Sequence, residues 1–504
     1  MSKNKKNTIK VIRENLIDLQ ASHQVLLFLS LFSAIFYLLY LLDFRNVSNW
    51  FLYSILLFIE AYIILQTVGI WWTIFYSSKN PKDHHYYDAK LELIKNTNIE
   101  GGIDVFVTIY GESLKDVYNT LKASAELKIE HRTYALDDGN SVQVRMIAKS
   151  LGVEYISREK NTDNKAGNIN NALALTKGKY FAVFDADHTP KNNFLIETVP
   201  FFSDENVAFV QTPQVMKEEK DMFSIGSADS QKIFYDLVGR GKNRFNSMFW
   251  VGTNAIFKRS AVEEVGNIFP HTSEDILTSY RLHQKNYKSV YIPDVLAQGL
   301  APNTMTSYMK QQLRWAGGGF HMFFKENPLF TKMSLDQKIQ YFLTSVFYYS
   351  GFVILFMILM PLAYIYFGIK PINANTFQWL VSYVPYFLFQ FVMILILSGR
   401  FSWQSYIISI NSFPAYILSF WKVITNQKIS WNVSTGAMKD NDSQLFFLWP
   451  QIILLILSVL AIPLAIIDPR EIGTTIFSLF WIIVNIISMG IFVIIAYKTK
   501  EIKQ

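Results

Sequence analysis

The sequence predicts two architectures in one chain: a doubly wound α/β domain, and membrane helices on either side of it. Three observations lead there. Apolar runs long enough to cross a hydrocarbon core of about 30 Å gather at both ends and leave a long polar middle between them. That middle alternates strand-like with helix-like stretches, the pattern of a mostly parallel sheet with crossover helices. Several of its predicted strands stop at carboxylates, and open α/β sheets bind ligands where their strands end.

Taken in order, residues 1–24 are a basic start with Lys3, Lys5, Lys6, Lys10 and Arg13. Residues 25–76 hold two spans: 25–42 carries no charge, and 51–75 carries only Glu60. Two more fall in 341–398 and two in 446–497, and a short tail, 498–504, holds Lys498, Lys500 and Lys503. Six spans place both termini on one side, and the basic flanks make that side cytoplasmic, together with the middle domain, 84–338. The chain is thus expected in the cell membrane as a multi-pass protein. The first span is too long for a signal-peptide core and lacks a small-x-small site. With no cysteine, disulfides and thiolate metal sites are excluded. The net charge of +7 sits largely at the membrane flanks, which points to lipid headgroups and away from nucleic acid.

Within the middle domain, residues 103–110 read as a strand, 114–127 as a helix, and 131–136 as a strand that stops at Asp137, Asp138 and Gly139. A helix over 141–151, a strand over 153–157 and a helix over 166–176 follow. The stretch YFAVFDADHTP, 180–190, is then a buried strand that delivers Asp185 and Asp187 at i, i+2. Alternate strand residues point the same way, so both carboxylates can face one hard divalent cation, or else form a solvated acidic turn. No GxGxxG or GxxxxGK[ST] follows a strand, so neither a dinucleotide fold nor a P-loop is supported. Lys165, at a helix start, is a candidate for holding phosphate, or is an ordinary solvated lysine.

Further on, FWVGTNAIF (249–257) is an apolar run interrupted by Gly252, Thr253 and Asn254, which offers a polar ligand close approach. Glu274 and Asp275 precede a helical run, where two acids also suit a helix N-terminus. Gln311, Arg314 and Trp315 stand at i, i+3, i+4 and share one helix face; a guanidinium suits a diphosphate and an indole a sugar face.

Six pieces in order, Asp137-Asp138-Gly139, Lys165-Ala166-Gly167-Asn168, Asp185-x-Asp187-His188, Gln211-Thr212-Pro213-Gln214, Ser273-Glu274-Asp275 and Gln311-x-x-Arg314-Trp315, resemble the processive family 2 glycosyltransferases. Within them the resemblance is closest to the catalytic subunits of bacterial cellulose synthases, and it covers about residues 103–439. It implies a glycosyltransferase A-type domain with interfacial helices, set between two and four spans. Thr108, Tyr110, Glu112, Asp137 and Asp138 would bind the uridine of a UDP-sugar, with Lys165 assisting. Asp185 and Asp187 would hold Mg²⁺ or Mn²⁺ against the diphosphate. Asp275, beside Glu274, would be the general base. Gln311, Arg314 and Trp315, with Trp250, Gly252 and Thr253, would receive the growing polysaccharide. One base and one metal suffice for a single inverting displacement, giving a β-linked product, most simply a glucan of capsule or matrix passed out through the spans.

In the same resemblance, residues 401–425 form an interfacial segment in place of a seventh span, and 429–435 a gating loop with Trp431, Val433 and Ser434; together they make a 401–445 region. Gly436 stands where the family's loop has a lysine, Ser273 replaces a threonine, and Gln298 replaces a glutamate. The short tail leaves no expected room for a cyclic-di-GMP domain. Rival readings are a hyaluronan- or chitin-like synthase, a single-addition transferase to a lipid carrier, and a transporter with a regulatory domain. A transporter would place ionisable groups inside its spans, where only Glu60 clearly lies. A homo-oligomer is left open.

Overall fold

The computed structural model describes residues 21–75, 81–97, 99–217, 221–373, 376–399, 401–427 and 441–501. The chain enters through α1 (Ala21–Leu41) and α2 (Trp50–Phe75), two helices apolar on nearly every side. α3 (His84–Lys95) starts at Asp83, whose carboxylate accepts from Tyr86 N, and straps the domain through Lys82 and Lys90 to Glu197.

The domain alternates as expected: β1 (Ile103–Ile109), α4 (Leu114–Ala125), β2 (Arg132–Asp137), α5 (Val142–Ser150), β3 (Glu154–Ile156), α6 (Asn164–Leu175) and β4 (Tyr180–Asp185). Every residue of β1 is buried, because helices cover both faces of the sheet. Asp104 is among them, and its charge is answered by Arg259 at 2.7 Å. Next come β5 (Thr189–Pro190), α7 (Phe194–Thr198), β6 (Val207–Gln211), β7 (Val215–Met216), α8 (Met222–Ile233), α9 (Gly239–Arg244), β8 (Ala255–Lys258), α10 (Arg259–Glu264), α11 (Glu274–Gln284), β9 (Lys288–Tyr291) and β10 (Ala297–Gly299). The main sheet runs β3-β2-β1-β4-β8-β6-β9. It is mostly parallel, but β8 runs antiparallel to both neighbours. A small sheet, β5-β10-β7, lies beside the end of β4.

α12 (Met305–Lys325) carries the predicted Gln-x-x-Arg-Trp face and leads to α13 (Leu335–Val346), α14 (Ser350–Phe367) and α15 (Thr376–Ser398). α16 (Trp403–Ile410), α17 (Phe413–Ile424), α18 (Asn441–Ile467) and α19 (Ile472–Glu501) complete the chain. Among the described residues, seven stretches are long and apolar enough to cross a membrane, so the chain is a multi-pass membrane protein. One of the seven, Trp403–Ile424, is two helices of 8 and 12 residues broken at Asn411 and Ser412. At about 1.5 Å per residue neither reaches the roughly 30 Å of a hydrocarbon core. α16 packs along α8, and α17 along α12 and α14. The loop with Trp431, Val433 and Ser434 lies outside the described residues.

Candidate active site

β1, β2 and β4 end side by side, with Thr108 in register with Leu136 and with Asp185. Their ends, the first turns of α6 and α11 and one face of α12 enclose a crevice. Thr108, Tyr110, Glu112, Asp138, Lys165, Asp185, Asp187, Gly252, Glu274, Asp275, Gln311, Arg314 and Trp315 all line it. Thirteen candidates scattered over the sequence therefore share one wall.

Asp185 is held from three sides. Thr108 Oγ1 donates to its Oδ1 at 3.0 Å, Thr253 Oγ1 accepts from its backbone N–H at 2.9 Å, and Lys165 Nζ ion-pairs with Oδ1. The same ammonium donates to the Gly252 carbonyl at 2.7 Å. Burial alone would lower the Lys165 pKa; the charges of Asp185, Glu274 and Asp275 outweigh it and hold it above its ordinary value. Glu112 curls back to accept from Tyr110 N at 2.6 Å, which shapes the turn after β1.

Asp187 accepts from His188 Nδ1 at 2.8 Å. Burial raises its carboxyl, but the His188 charge and hydrogen bond, with Lys165, bring it below the usual carboxylate range. One ligand atom each of Asp185, Asp187 and His188 lies within 4.8 Å of the others. Hard carboxylate oxygens at that spacing suit Mg²⁺ or Mn²⁺.

Asp275 opens α11, its Oδ1 accepting from Ile276 N at 2.8 Å and its carbonyl from Ser279 Oγ at 2.8 Å. Burial pushes both Asp275 and Glu274 up, and for Glu274 the neighbouring Asp275 charge adds to it. A carboxylate made basic in this way is suited to accept a proton near neutral pH. Facing it, Arg314 on α12 feels the charges of Glu274, Asp185 and Asp275. The Oε1 of Gln311 is buried with no partner among the described residues, an acceptor left for something in the crevice.

Three predicted residues stand behind the wall. Asp137 is buried and spends its oxygens on Gly139 N, Ser141 N and the Tyr155 hydroxyl, each within 2.9 Å, so it shapes the turn after β2. Trp250 is fully buried, edge-on to Phe257 at 5.2 Å, and lies under Lys165. Its indole supports that ammonium; it offers no surface to an acceptor. Thr253 is equally buried and serves Asp185 from below. An apolar run interrupted by Gly and Thr does not reveal from sequence which of its residues reach the crevice.

Sequence reasoning also passed over Arg158. It makes a two-pronged bond to Asp138, 2.6 and 2.7 Å, and donates to the carbonyls of Thr162 and Asn164, both at 2.6 Å. The loop it grips takes a left-handed course at Asp163 (φ 59°) and Asn164 (φ 47°) just before Lys165. Gly167 is required there, because a Cβ would collide with Arg158 and Thr162. Its only signal was an arginine seven residues before a site lysine.

Comparison with known proteins gives the family of the chain. Glycosyl transferase family group 2 matches residues 180–495. The cellulose synthase catalytic subunit (UDP-forming) of Pseudomonas fluorescens (strain SBW25) is 28% identical over 438 residues, 80% of this chain and 57% of that protein. Its counterpart in Xanthomonas axonopodis pv. citri (strain 306) is 32% identical over 262 residues, 49% of this chain and 36% of that protein. The chain thus spans about half the length, or less, of these relatives. A mannosyltransferase from Pyrobaculum calidifontis, solved with GDP-Man and Mn²⁺, shares the fold at a TM-score of 0.50 and 16% identity, over 73% of this chain and 99% of that one. With the family matched over well more than half the sequence, on a glycosyltransferase-type α/β domain flanked by membrane helices, the chain belongs to Glycosyl transferase family group 2.

Proposed function

We propose that the protein is a membrane-embedded, processive, inverting glycosyltransferase that polymerises a UDP-sugar, UDP-glucose, into a β-linked glucan of capsule or matrix and passes it across the membrane. The observation that carries this reading is the meeting of Asp275 with the Gln311, Arg314 and Trp315 face, opposite Asp185 and Asp187, in one crevice. A base, an acceptor platform and a cation-binding pair are what sugar transfer to a growing chain end requires.

Thr108, Tyr110, Glu112 and Asp138 line the part of the crevice that takes the nucleoside, with Arg158 fixing the Asp138 carboxylate. Asp185 and Asp187, with His188 beside them, fit a divalent cation; when bound it supplies positive charge against the departing diphosphate. Arg314 adds fixed donors for the same charge, and Trp315 offers its face to the terminal sugar. Asp275 takes the proton of the acceptor hydroxyl as that oxygen bonds to the anomeric carbon and UDP leaves. One displacement inverts the anomeric centre, so an α-linked donor gives a β bond.

In this reading six helices cross the membrane, α16 and α17 lie at its cytoplasmic face, and both termini and the catalytic domain are cytoplasmic. The break at Asn411 and the packing of the two short helices against α8, α12 and α14 support that placement.

The test is incubation of the purified protein in lipid nanodiscs with each radiolabelled UDP-sugar and Mg²⁺ or Mn²⁺, then linkage-specific digestion of the product. UDP-glucose is expected to give a polymer degraded by β-glucanase. Polymer from UDP-N-acetylglucosamine alone would keep the synthase and change the sugar. A folded protein that makes no polymer from any UDP-sugar overturns the proposal.

A further inference from the structure

A second cavity, about 1220 Å³, shares no lining residue with the crevice. It exceeds the roughly 300–1,000 Å³ of ordinary small-molecule sites. Its walls are α15 and α19, which meet where Trp379 lies against Phe477 at 4.6 Å. At the opposite end α16 and the close of α8 form its floor.

The α15 wall is an aromatic stripe at i, i+4, i+8, i+12: Trp379, Tyr383, Phe387 and Phe391. Each ring lies against the next, at 4.5, 6.0 and 6.2 Å. Twelve residues of helix make the stripe about 18 Å long, more than half of a hydrocarbon core. The facing wall repeats the pattern with Ile476, Phe480 and Val484. Phe387 is 44% and Phe480 56% exposed within stretches that span the membrane, so hydrocarbon covers them.

The chemistry of the walls discriminates between occupants. A sugar chain would bring hydroxyls that need partners at each step. Midway along, the amide of Gln390 is already committed: its Oε1 accepts from Trp71 Nε1 at 2.9 Å and its Nε2 donates to Ser30 Oγ at 2.6 Å. Acyl chains need no such partners. The polar end is different again. There Lys232 and Asp236 line the floor, four residues apart in sequence. An ammonium and a carboxylate together complement a phosphate joined to an amine.

We infer that this cleft binds one membrane phospholipid with a zwitterionic phosphoethanolamine head, its head at Lys232 and Asp236 and its acyl chains along the stripe of α15. The inference rests on the membrane embedding and is independent of the transfer chemistry.

The test is native mass spectrometry of the full chain released from nanodiscs of equal parts phosphatidylethanolamine, phosphatidylglycerol and phosphatidylcholine. The wild-type protein is expected to retain one phosphatidylethanolamine, enriched about tenfold over each other lipid, a difference of about 1.4 kcal/mol. Lys232→Glu should abolish that preference, and Val484→Trp, which fills the cleft, should abolish retention; monodisperse elution reports that each variant is folded. Release of the wild type without lipid, retention of the three heads alike, or an oligosaccharide retained in the cleft during turnover overturns the inference. Because the readout is retained lipid, it stands even if no sugar is polymerised.

Discussion

Ser273 donates through Oγ to the carbonyl oxygen of Arg314 at 3.1 Å, and this bond ties the turn that carries Asp275 to the helix that carries Arg314 and Trp315. The approach is possible because residue 318, one turn further along α12, is glycine: a Cβ there would come within 2.6 Å of Ser273 Cβ and Oγ. Gly318→Ala should therefore force the base and the acceptor platform apart. Overpacking of this kind costs about 1–3 kcal/mol in stability. A displacement of about 1 Å near reacting atoms costs on the order of 10²-fold in rate. The expected outcome in initial-rate assays is a fall in kcat of about that size with little change in the KM for donor. A kcat equal to wild type would show that the contact does not set the geometry.

Arg158 grips both oxygens of Asp138 and two loop carbonyls at once. An ammonium cannot reproduce that fork. Arg158→Lys is expected to raise the KM for the UDP-sugar about tenfold while kcat holds, because the nucleoside pocket loosens and the base is untouched. Loss confined to kcat would place Arg158 elsewhere in the reaction.

Much of this was legible in the sequence because of where motif residues fall. Asp138, Asp185 and Asp187 follow apolar runs whose ends are strand ends, and Gln311, Arg314 and Trp315 recur at helical spacing, so their common direction needed no tertiary information. What depended on long-range pairing was not legible. β8 lies antiparallel between β4 and β6, and no local propensity records strand direction. Trp250 and Thr253 each sit one residue from a lining position, and only the packing of the segment before β8 decides which side each faces. Asp137 and Asp138 look equivalent in a row; in the fold one caps a turn and the other lines the crevice.

Asp187→Asn removes half of the carboxylate pair suited to a divalent cation. Calorimetric titration with UDP and Mn²⁺ should show metal-dependent affinity weakened about 10–100-fold, while the small metal-independent part remains. Equal affinity with and without Mn²⁺ in the wild type would remove the cation from the account.

Asp275 must be ionised to accept a proton, and burial raises its pKa. The acidic limb of kcat/KM should therefore lie above the ordinary carboxylate value of about 3.9, activity being lost as pH falls through the raised value. Stability runs the other way. An acid with a raised folded pKa holds its proton longer folded than unfolded, so its contribution declines as pH rises through the window between the two. A pH–rate profile with its acidic limb near 3.9 would contradict the assignment.

The most direct measurement pairs turnover with UDP affinity in Asp275→Asn. The side chain keeps its size and its Oδ1 can still accept from Ile276 N, so the fold and the nucleotide pocket should be preserved. The account predicts that polymer synthesis falls by about 10²–10⁴-fold, the usual contribution of a general base, with UDP affinity within about twofold of wild type. Synthesis at the wild-type rate, or a loss matched by loss of UDP binding, would contradict the claim that Asp275 is the base of this crevice.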